Sequence, residues 1–238
     1  MLEVVYLAWN RLEFTRKTFT TMLVNTNWNH VDRLVIYDDG STDGTLEYLF
    51  HEAGLLHGRI QITVVRTNRL GPVAILTHYI RNSGAELFAR IDNDTMLPPR
   101  WLDECLELLQ QNPNVDLLGI EARSEAAPSG PPPRGVVDTS YIGGIGLMKR
   151  RAFADMMGIY PRVEVDGRSS RFGFEEWQGI HSDIRKVWIQ PPLPVALLNR
   201  VPFEPWMGLS KLYVAAGWQR AWPGYYEPYR SDLWDWWQ

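Results

Sequence analysis

Short apolar runs alternate with segments of helical periodicity over the first half of the chain. Strand-like runs occur at residues 4–8, 34–37, 60–65, 87–91 and 115–120. Apolar residues three and four positions apart predict helices at residues 12–23, 72–82 and 98–108, and a further helix that is capped within residues 41–43 and continues to residue 50. The helix at 98–108 is expected to begin at its two prolines, because proline suits the first turn of a helix. Alternation of this kind is typical of an α/β fold built on a mostly parallel sheet.

The second half of the chain is less regular. Residues 126–135 contain four prolines and predict a mobile surface loop, because proline is disfavoured in helices and in inner strands. The elements predicted after this loop are a strand at residues 141–148, helices at 150–157 and about 175–185, and a short strand at 187–189. We find no internal repeat and expect a single domain over residues 1–200, followed by an aromatic-rich extension over 201–238.

The composition narrows the class of protein. Hydrophobic residues make up 45% of the chain and charged residues 22%, which is typical of a globular domain and argues against general disorder. With 24 Lys and Arg against 28 Asp and Glu, the net charge of −4 gives no overall positive field, so stable nucleic-acid binding is not expected. Cys105 is the only cysteine, which excludes an internal disulfide and a cysteine-based zinc site. The chain has no signal-like start and no run of roughly 18 apolar residues, so we expect a cytoplasmic protein.

Two acidic clusters follow predicted strands, where ligands bind in sheets of this kind. Asp38 and Asp39 lie in the run DDGSTDG after the second strand. This run is equally typical of a turn whose side chains bond their own backbone and of a site where a carboxylate accepts the N–H of a nucleobase such as uracil. Asp92 and Asp94 follow the fourth strand in a D-x-D pattern, and carboxylates two positions apart leave a strand on the same side. They suit a hard divalent cation that also binds phosphate, although a solvated turn is the alternative.

A third acidic cluster consists of Glu175 and Glu176, at the predicted start of a helix. Acidic residues are favoured there by the helix dipole alone, which is the structural explanation of the pair. The functional explanation is a general base that takes a proton from an attacking hydroxyl.

The order of these motifs along the chain resembles glycosyltransferase family 2, whose members have the GT-A fold. The resemblance rests on residues 5–11 (VYLAWNR), 37–45 (YDDGSTDGT), 68–72 (NRLGP), 91–94 (IDND) with 97–102 (LPPRWL), and 173–176 (GFEE). It covers about residues 3–190. It implies a Rossmann-like, mostly parallel sheet flanked by helices, with a nucleotide-sugar-binding half at residues 1–100 and an acceptor-binding half at 101–200. It also implies inverting transfer of a sugar from a nucleoside diphosphate donor, with UDP favoured, to an acceptor hydroxyl.

The resemblance assigns donor contacts to residues of the first half. Asp39 would accept the nucleobase N–H, Trp9 would stack near the base, and the backbone at Leu7 would contact the base ring. A place in the hydrophobic core is the alternative for Trp9. Arg69 would contact the diphosphate, although it also fits an ordinary solvated loop arginine.

The resemblance also assigns the cation and the base. Asp94 would be the main ligand of Mn²⁺ or Mg²⁺, with Asp92 near the metal or the ribose and Asn93 between them on the donor side. The cation would neutralise charge on the leaving diphosphate. Glu176 would be the general base, with Glu175 as its alternative.

Several positions depart from the family pattern. The family more often has Glu-Asp where this chain has Glu175-Glu176, and commonly has Arg-Asn where this chain has Leu76 and Thr77. Many members supply a histidine to the metal downstream of the base, where this chain has Asn199. His181 follows Glu176 by about one helical turn and is expected to be a surface or packing residue, with a supporting role in the metal site as the alternative. Gly143, Gly144 and Gly146 resemble a segment where a sugar approaches the backbone, but a tight crossing of strands explains them equally well.

The extension at residues 201–238 lies outside the resemblance. The chain has 11 tryptophans, and six of them are at or after position 206. We expect this extension to pack on the catalytic domain, because six exposed tryptophans would promote aggregation. A platform that stacks the acceptor sugar and a homo-oligomer contact are the alternatives.

Three other functions remain open from the sequence. A retaining GT-A transferase would share these motifs, and a catalytically degenerate protein would bind a nucleotide sugar or glycan without turnover. A nucleotidyltransferase is disfavoured, because residues 8–11 (AWNR) lack the glycine-rich, basic loop that holds a triphosphate. The acceptor is a glycan, a protein or another hydroxyl compound.

Overall fold

The computed structural model describes residues 1–120, 133–140, 142, 145–158, 164–165, 168–169, 183–191, 193 and 195–197. The strands are β1 (Leu2–Ala8), β2 (Arg33–Asp38), β3 (Gln61–Arg66), β4 (Leu87–Asp92), β5 (Thr95–Met96), β6 (Leu117–Gly119), β7 (Gly135–Thr139), β8 (Gly146–Lys149), β9 (Glu164–Val165), β10 (Arg168–Ser169), β11 (Lys186–Gln190) and β12 (Ala196–Leu197). The helices are α1 (Leu12–Asn25), α2 (Thr45–Ala53), α3 (Pro72–Asn82), α4 (Trp101–Gln111) and α5 (Arg150–Gly158), with short 3₁₀ turns at Trp28–His30 and Gly54–Leu56.

The central sheet has eight strands in the order β3-β2-β1-β4-β8-β6-β11-β7. The four strands β3, β2, β1 and β4 are parallel to one another, and β11 is parallel to β6. Strand β8 lies antiparallel between β4 and β6, and β7 is an antiparallel edge strand. The predicted α/β class with a mostly parallel sheet is therefore confirmed, and the parallel half is the half that carries the first two acidic clusters, at Asp38–Asp39 and Asp92–Asp94.

Both faces of the sheet are covered, as the unbroken burial of β1 demonstrates. All seven of its residues are buried. Val4, Tyr6 and Ala8 belong to one apolar layer, which α1, α2 and α4 complete. The alternate residues Val5 and Leu7 belong to the opposite layer, which α3 and α5 complete. A strand with helices on both sides favours apolar residues at successive positions, which is why residues 4–8 of β1 form a continuous apolar run after the buried Glu3.

Most predicted boundaries agree with the structure to within a few residues, but α4 does not begin as expected. It begins at Trp101 rather than at the prolines, because Arg100 precedes it with a left-handed backbone, φ 60°. Pro98 and Pro99 instead belong to a turn in which the Pro98 carbonyl accepts the Trp101 N–H at 3.4 Å. The prediction of a helix start at these prolines is therefore wrong.

The predicted strand at 141–148 is a shorter strand, β8, that begins at Gly146. A Cβ atom on Gly146 would lie 2.2 Å from the Leu118 carbonyl oxygen, so the close pairing of β8 with β6 requires glycine here. Gly143, Gly144 and the extension at 201–238 lie outside the described residues. The predicted helix at about 175–185 also lies mostly outside them, and its last residues, 183–185, are not helical. Within the described part of the chain, no helix is long and apolar enough to cross a membrane.

Candidate active site

Three loops meet at one edge of the sheet, where β1, β2 and β4 end. The register pairs Leu7 of β1 with Tyr37 of β2 on one side and with Asp92 of β4 on the other. Because these strands are parallel, the chain leaves all three at the same edge. This edge carries residues 9–11 after β1, residues 39–44 after β2, and residues 93–94 after β4.

Asp39 holds the loop between β3 and α3. Its Oδ1 accepts hydrogen bonds from the Thr67 hydroxyl and the Leu70 N–H, both at 2.7 Å, and its Oδ2 accepts one from the Gly71 N–H at 2.8 Å. The Asp39 residue is 8% exposed. Since a carboxylate offers about four acceptor sites, these bonds leave one for a ligand N–H. Asp39 is therefore the anchor of this loop, a role that the sequence did not predict.

The loop that Asp39 anchors places Arg69 over Trp9. The Arg69 guanidinium carbon lies 4.7 Å from the centroid of the Trp9 ring, which is a cation–π distance. Arg69 is exposed, and its backbone is left-handed with φ 55°. Trp9 is half-buried and belongs to neither apolar layer, so it does not occupy the core position that was the alternative for it. Trp9 and Arg69, two of the residues predicted to contact the donor, therefore lie together at the surface of this edge.

Asp38 is more deeply buried than Asp39. It is 0% exposed, and its Oδ2 accepts the Ser41 N–H at 3.1 Å and lies 3.9 Å from Nε of Arg66. Its Oδ1 has no hydrogen-bond partner among the described residues. Asp38 therefore stabilises the turn that follows β2. Asp39 is the carboxylate of the pair that lies nearer to solvent.

The loop between β1 and α1 has a strained backbone that side chains hold in place. Asn10 and Arg11 both have positive φ, 52° and 61°. The Asn10 N–H donates to the Ser41 hydroxyl at 2.7 Å, the Asn10 Oδ1 accepts the Thr42 N–H at 2.9 Å, and the Asn10 carbonyl accepts Nδ2 of Asn93 at 2.8 Å. Left-handed conformations of such residues persist only where neighbouring contacts fix them. Here the contacts come from the other two loops, so the three loops form one unit.

Arg11 is directed by this loop toward the D-x-D segment. Its NH1 donates to Oδ2 of Asp94 at 3.1 Å, and its NH2 donates to Oδ1 of Asn93 at 2.9 Å. The side chains of Arg11 and Asp94 are 20% and 9% exposed, so this ion pair is largely shielded from water. The sequence analysis missed Arg11, although it lies in the VYLAWNR motif, because a spacing pattern does not reveal which acid a loop arginine meets.

Asn93 is turned into the protein. It is 2% exposed, and its Nδ2 also donates to the Thr15 hydroxyl at 3.0 Å, so both ends of its amide bond to the chain. Its N–H donates to the Leu7 carbonyl at 2.9 Å. Asn93 therefore fixes α1 and the first loop against the D-x-D segment. Donor contacts by Asn93 and by the Leu7 backbone stay predictions.

Asp92 forms a bidentate ion pair with Arg90 of the same strand. Nε and NH2 of Arg90 donate to the two Asp92 oxygens at 3.1 and 2.9 Å. Partial removal from water raises the pKa of the Asp92 carboxyl, the Arg90 guanidinium opposes this rise, and the negative charge of Asp94 adds to it. Burial is thus the main cause of the raised pKa, and a cation bound by both carboxylates would relieve the smaller contribution from the charge of Asp94.

The residues at this edge fit a divalent cation in their chemistry. Asp92 and Asp94 supply carboxylate oxygens, which are the ligands that Mg²⁺ and Mn²⁺ prefer. Among the described residues no group of three or more histidine, cysteine or acidic side chains is placed to hold a metal. Magnesium in particular is commonly held by one or two carboxylates together with substrate phosphates, so two acids suffice for a cation that arrives with a diphosphate.

The predicted base and its neighbourhood lie outside the described residues. This holds for Glu175, Glu176, His181 and Asn199. Leu76, which replaces a family arginine or asparagine, is 1% exposed and packs in the layer of α3, so it has no path to a donor. The donor side of the site is thus described in detail, and the acceptor side remains a prediction.

Comparison with solved structures agrees with this fold. The chain superimposes on TarS of S. aureus, residues 1–349, with a TM-score of 0.59 and 14% identity, covering 90% of this chain and 65% of that one. It superimposes on the mannosyltransferase PcManGT of Pyrobaculum calidifontis with a TM-score of 0.59 and 15% identity, covering 92% of this chain and 63% of that one. The latter structure is a complex with GDP-Man and Mn²⁺, and TarS 1–349 has also been solved with UDP-GlcNAc. At these identities the likeness establishes the fold alone.

Sequence relatives are glycosyltransferases. An uncharacterized glycosyltransferase of Haemophilus influenzae is 28% identical over 119 residues, which are 50% of this chain and 36% of that protein. The putative glycosyltransferase EpsE of Bacillus subtilis is 30% identical over 93 residues, which are 39% of this chain and 32% of that protein. These alignments span about a third of each relative.

The family model for glycosyl transferase family 2 matches residues 3–160. The match includes the parallel half of the sheet and each of the three loops that meet at its edge. The resemblance in the sequence motifs and the GT-A neighbours agree with it. The chain belongs to glycosyl transferase family 2.

Proposed function

We propose that this protein transfers a sugar from a nucleoside diphosphate donor to an acceptor hydroxyl, with inversion and with the help of a divalent cation. The observation that carries the proposal is that Asp39, Asp92 and Asp94 lie at one edge of the sheet in a chain of this family. UDP-linked donors are favoured, and the structural neighbours that hold UDP-GlcNAc and GDP-Man support a nucleotide sugar in general. The acceptor is a glycan, a protein or another hydroxyl compound.

The nucleobase is proposed to lie between Asp39 and the Trp9–Arg69 stack. Asp39 keeps one acceptor site after its bonds to Thr67, Leu70 and Gly71, and a uracil N–H is a donor that fits it. Trp9 offers a ring face on which a base stacks, once Arg69 moves aside or covers the base from the other side. Arg69 then lies where its charge reaches the diphosphate.

The diphosphate is proposed to lie at Asp92 and Asp94. These two carboxylates would hold Mn²⁺ or Mg²⁺, and a neighbour of the same fold that binds GDP-Man with Mn²⁺ supports this choice. When bound, the cation neutralises the negative charge that grows on the leaving diphosphate. Asp94, which is shielded from water, is the stronger candidate for direct contact, since Asp92 is bonded at both oxygens to Arg90.

Glu176 is proposed as the general base, with Glu175 as its alternative. The acceptor oxygen forms a bond to the anomeric carbon while the bond from that carbon to the diphosphate oxygen breaks. The acceptor proton passes to the Glu176 carboxylate, and the nucleoside diphosphate leaves with the electron pair of the broken bond. Attack from the face opposite the leaving group gives an inverted anomeric centre.

Release of nucleoside diphosphate from UDP-, GDP- and dTDP-linked sugars tests the proposal when wild type and Glu176→Gln are compared. We expect wild type to release the nucleotide from one donor class, slowly with water and faster with an acceptor. The Glu176→Gln variant should bind that donor with unchanged affinity and lose turnover, whereas Glu175→Gln should keep turnover. The opposite result in the two variants would make Glu175 the base.

The other outcomes identify the alternatives. Binding of a donor without release by wild type would indicate a degenerate binding protein. Release with retained anomeric configuration, read by NMR of the product, would indicate a retaining enzyme and would remove Glu176 as a base. No binding of any donor at millimolar concentration would contradict the proposal.

A further inference from the structure

We propose that Arg11 competes with the divalent cation for Asp94, so that the cation site is weak until a diphosphate arrives. This inference rests on the proposed function, because it concerns the cation that Asp94 would hold. It concerns a positioning residue that neither the family match nor the sequence motifs single out. The contact that carries it is the pair between NH1 of Arg11 and Oδ2 of Asp94, at 3.1 Å.

A divalent cation and the Arg11 guanidinium cannot both bind Asp94 without repelling each other. A divalent ion binds a carboxylate oxygen at about 2.0–2.6 Å. An ion on Oδ2 would therefore lie within about 6 Å of the guanidinium nitrogen, on a carboxylate that is only 9% exposed. Like charges at that separation repel strongly in a site that is shielded from water. Cation binding must displace Arg11 or proceed against its charge.

The loop that carries Arg11 is built to hold it at Asp94. The left-handed backbone at Asn10 and Arg11 is fixed by Ser41, Thr42 and Asn93, as described above. The N–H of Leu12, the next residue, donates to Oδ2 of Asp43 at 2.9 Å. The fixed backbone sets the direction in which the Arg11 side chain leaves the loop, and its contacts with Asp94 and Asn93 hold the guanidinium there.

A diphosphate would give the Arg11 guanidinium another partner in place of Asp94. Guanidinium groups form strong bidentate bonds with phosphate oxygens, and a diphosphate at this edge would lie within reach of the side chain that Asp94 releases. The cation then gains Asp94, and Arg11 gains a phosphate. Arg11 thereby makes the cation enter together with the donor rather than before it.

Binding of Mn²⁺ in the absence of nucleotide, measured by the EPR signal of the free ion, tests the inference on the full chain. We expect Arg11→Met to bind Mn²⁺ about tenfold more tightly than wild type, and Arg11→Gln, which keeps a donor for Asn93, to be similarly tight. The matched control is Arg16→Met, which removes the same charge from α1 at an exposed side chain whose guanidinium lies over Tyr48, not at Asp94. Its affinity for Mn²⁺ should stay within about twofold of wild type.

The sign of the effect separates competition from a structural role, because a loosened loop would weaken Mn²⁺ binding. Unchanged or weaker binding in both folded Arg11 variants would overturn the inference while leaving the metal site in place. An equal increase in Mn²⁺ affinity in Arg16→Met would also overturn the inference, since the change in net charge alone would then explain the result. If Arg11→Met does not fold, Arg11→Gln decides. If no variant binds Mn²⁺, with or without UDP, GDP or dTDP, the proposed metal site falls and this inference falls with it.

Discussion

Replacement of Asp39 by alanine should destabilise the protein through the loop between β3 and α3. The change removes three hydrogen bonds, from the Thr67 hydroxyl and from the N–H groups of Leu70 and Gly71. Bonds to a charged group contribute about 1.5–3 kcal/mol each when water cannot replace them. Leu70 is exposed and Thr67 half-buried, so water replaces part of this loss. About 1 kcal/mol for each bond, or about 3 kcal/mol in total, is the expected loss in the free energy of unfolding.

Urea unfolding followed by circular dichroism measures this loss. With a slope of about 2–3 kcal/mol per M for a domain of this size, the midpoint should fall by about 1–1.5 M in Asp39→Ala. Asp39→Asn should lose less, because its oxygen can still accept from Thr67 and Leu70 while its amide nitrogen faces the Gly71 N–H. Thr67→Val, which removes one bond, should cost about 1 kcal/mol. A loss below about 0.5 kcal/mol in Asp39→Ala would refute the role of Asp39 as the anchor of this loop.

Three further predictions concern the core. Gly146→Ala should lower the free energy of unfolding by at least about 3 kcal/mol or prevent folding, because its Cβ would lie 2.2 Å from the Leu118 carbonyl oxygen. The control is Gly54→Ala, whose Cβ would meet nothing within 4 Å and which should leave the thermal midpoint nearly unchanged. Burial raises the pKa of the Cys105 thiol, so a thiol reagent at pH 8 should label Cys105 only in urea, and rapid labelling of the native protein would contradict its burial. Burial likewise raises the pKa of tyrosine hydroxyls in the folded state, to about 12 for Tyr37, so the unfolded chain releases its phenolic protons first. The free energy of unfolding should therefore fall as the pH rises above about 10, and a flat profile between pH 9 and 11 would contradict this. The other three tyrosines whose pKa burial raises are Tyr6, Tyr48 and Tyr79.

The parallel half of the fold was predictable because its information is local. Strand β1 is buried on both faces, and its residues 4–8 form an unbroken apolar run that can be detected in the sequence. The position of Asp39 and Asp94 at the same sheet edge follows from parallel strands, since each acid comes directly after a strand. Local signals thus sufficed to locate the candidate site.

The contacts within the site could not be predicted, because they join residues far apart in the chain. Asp39 bonds to a loop 28 to 32 residues away, and Arg11 reaches Asp94 across 83 residues. The direction of Arg11 depends on two successive left-handed residues, and although asparagine favours this conformation, no sequence rule predicts it for the arginine that follows. The start of α4 was missed for the same reason, since Arg100 also adopts a left-handed backbone.

The most direct test of the central claim is the affinity of UDP, GDP and dTDP, measured by isothermal titration with and without Mn²⁺, for wild type and for Asp94→Asn. The account predicts that one nucleotide binds wild type and that Mn²⁺ increases its affinity at least about tenfold, whereas Asp94→Asn loses most of this increase and keeps the metal-independent part. An affinity that Mn²⁺ does not change, or an increase that persists in Asp94→Asn, would contradict the claim that Asp94 holds the cation beside the diphosphate.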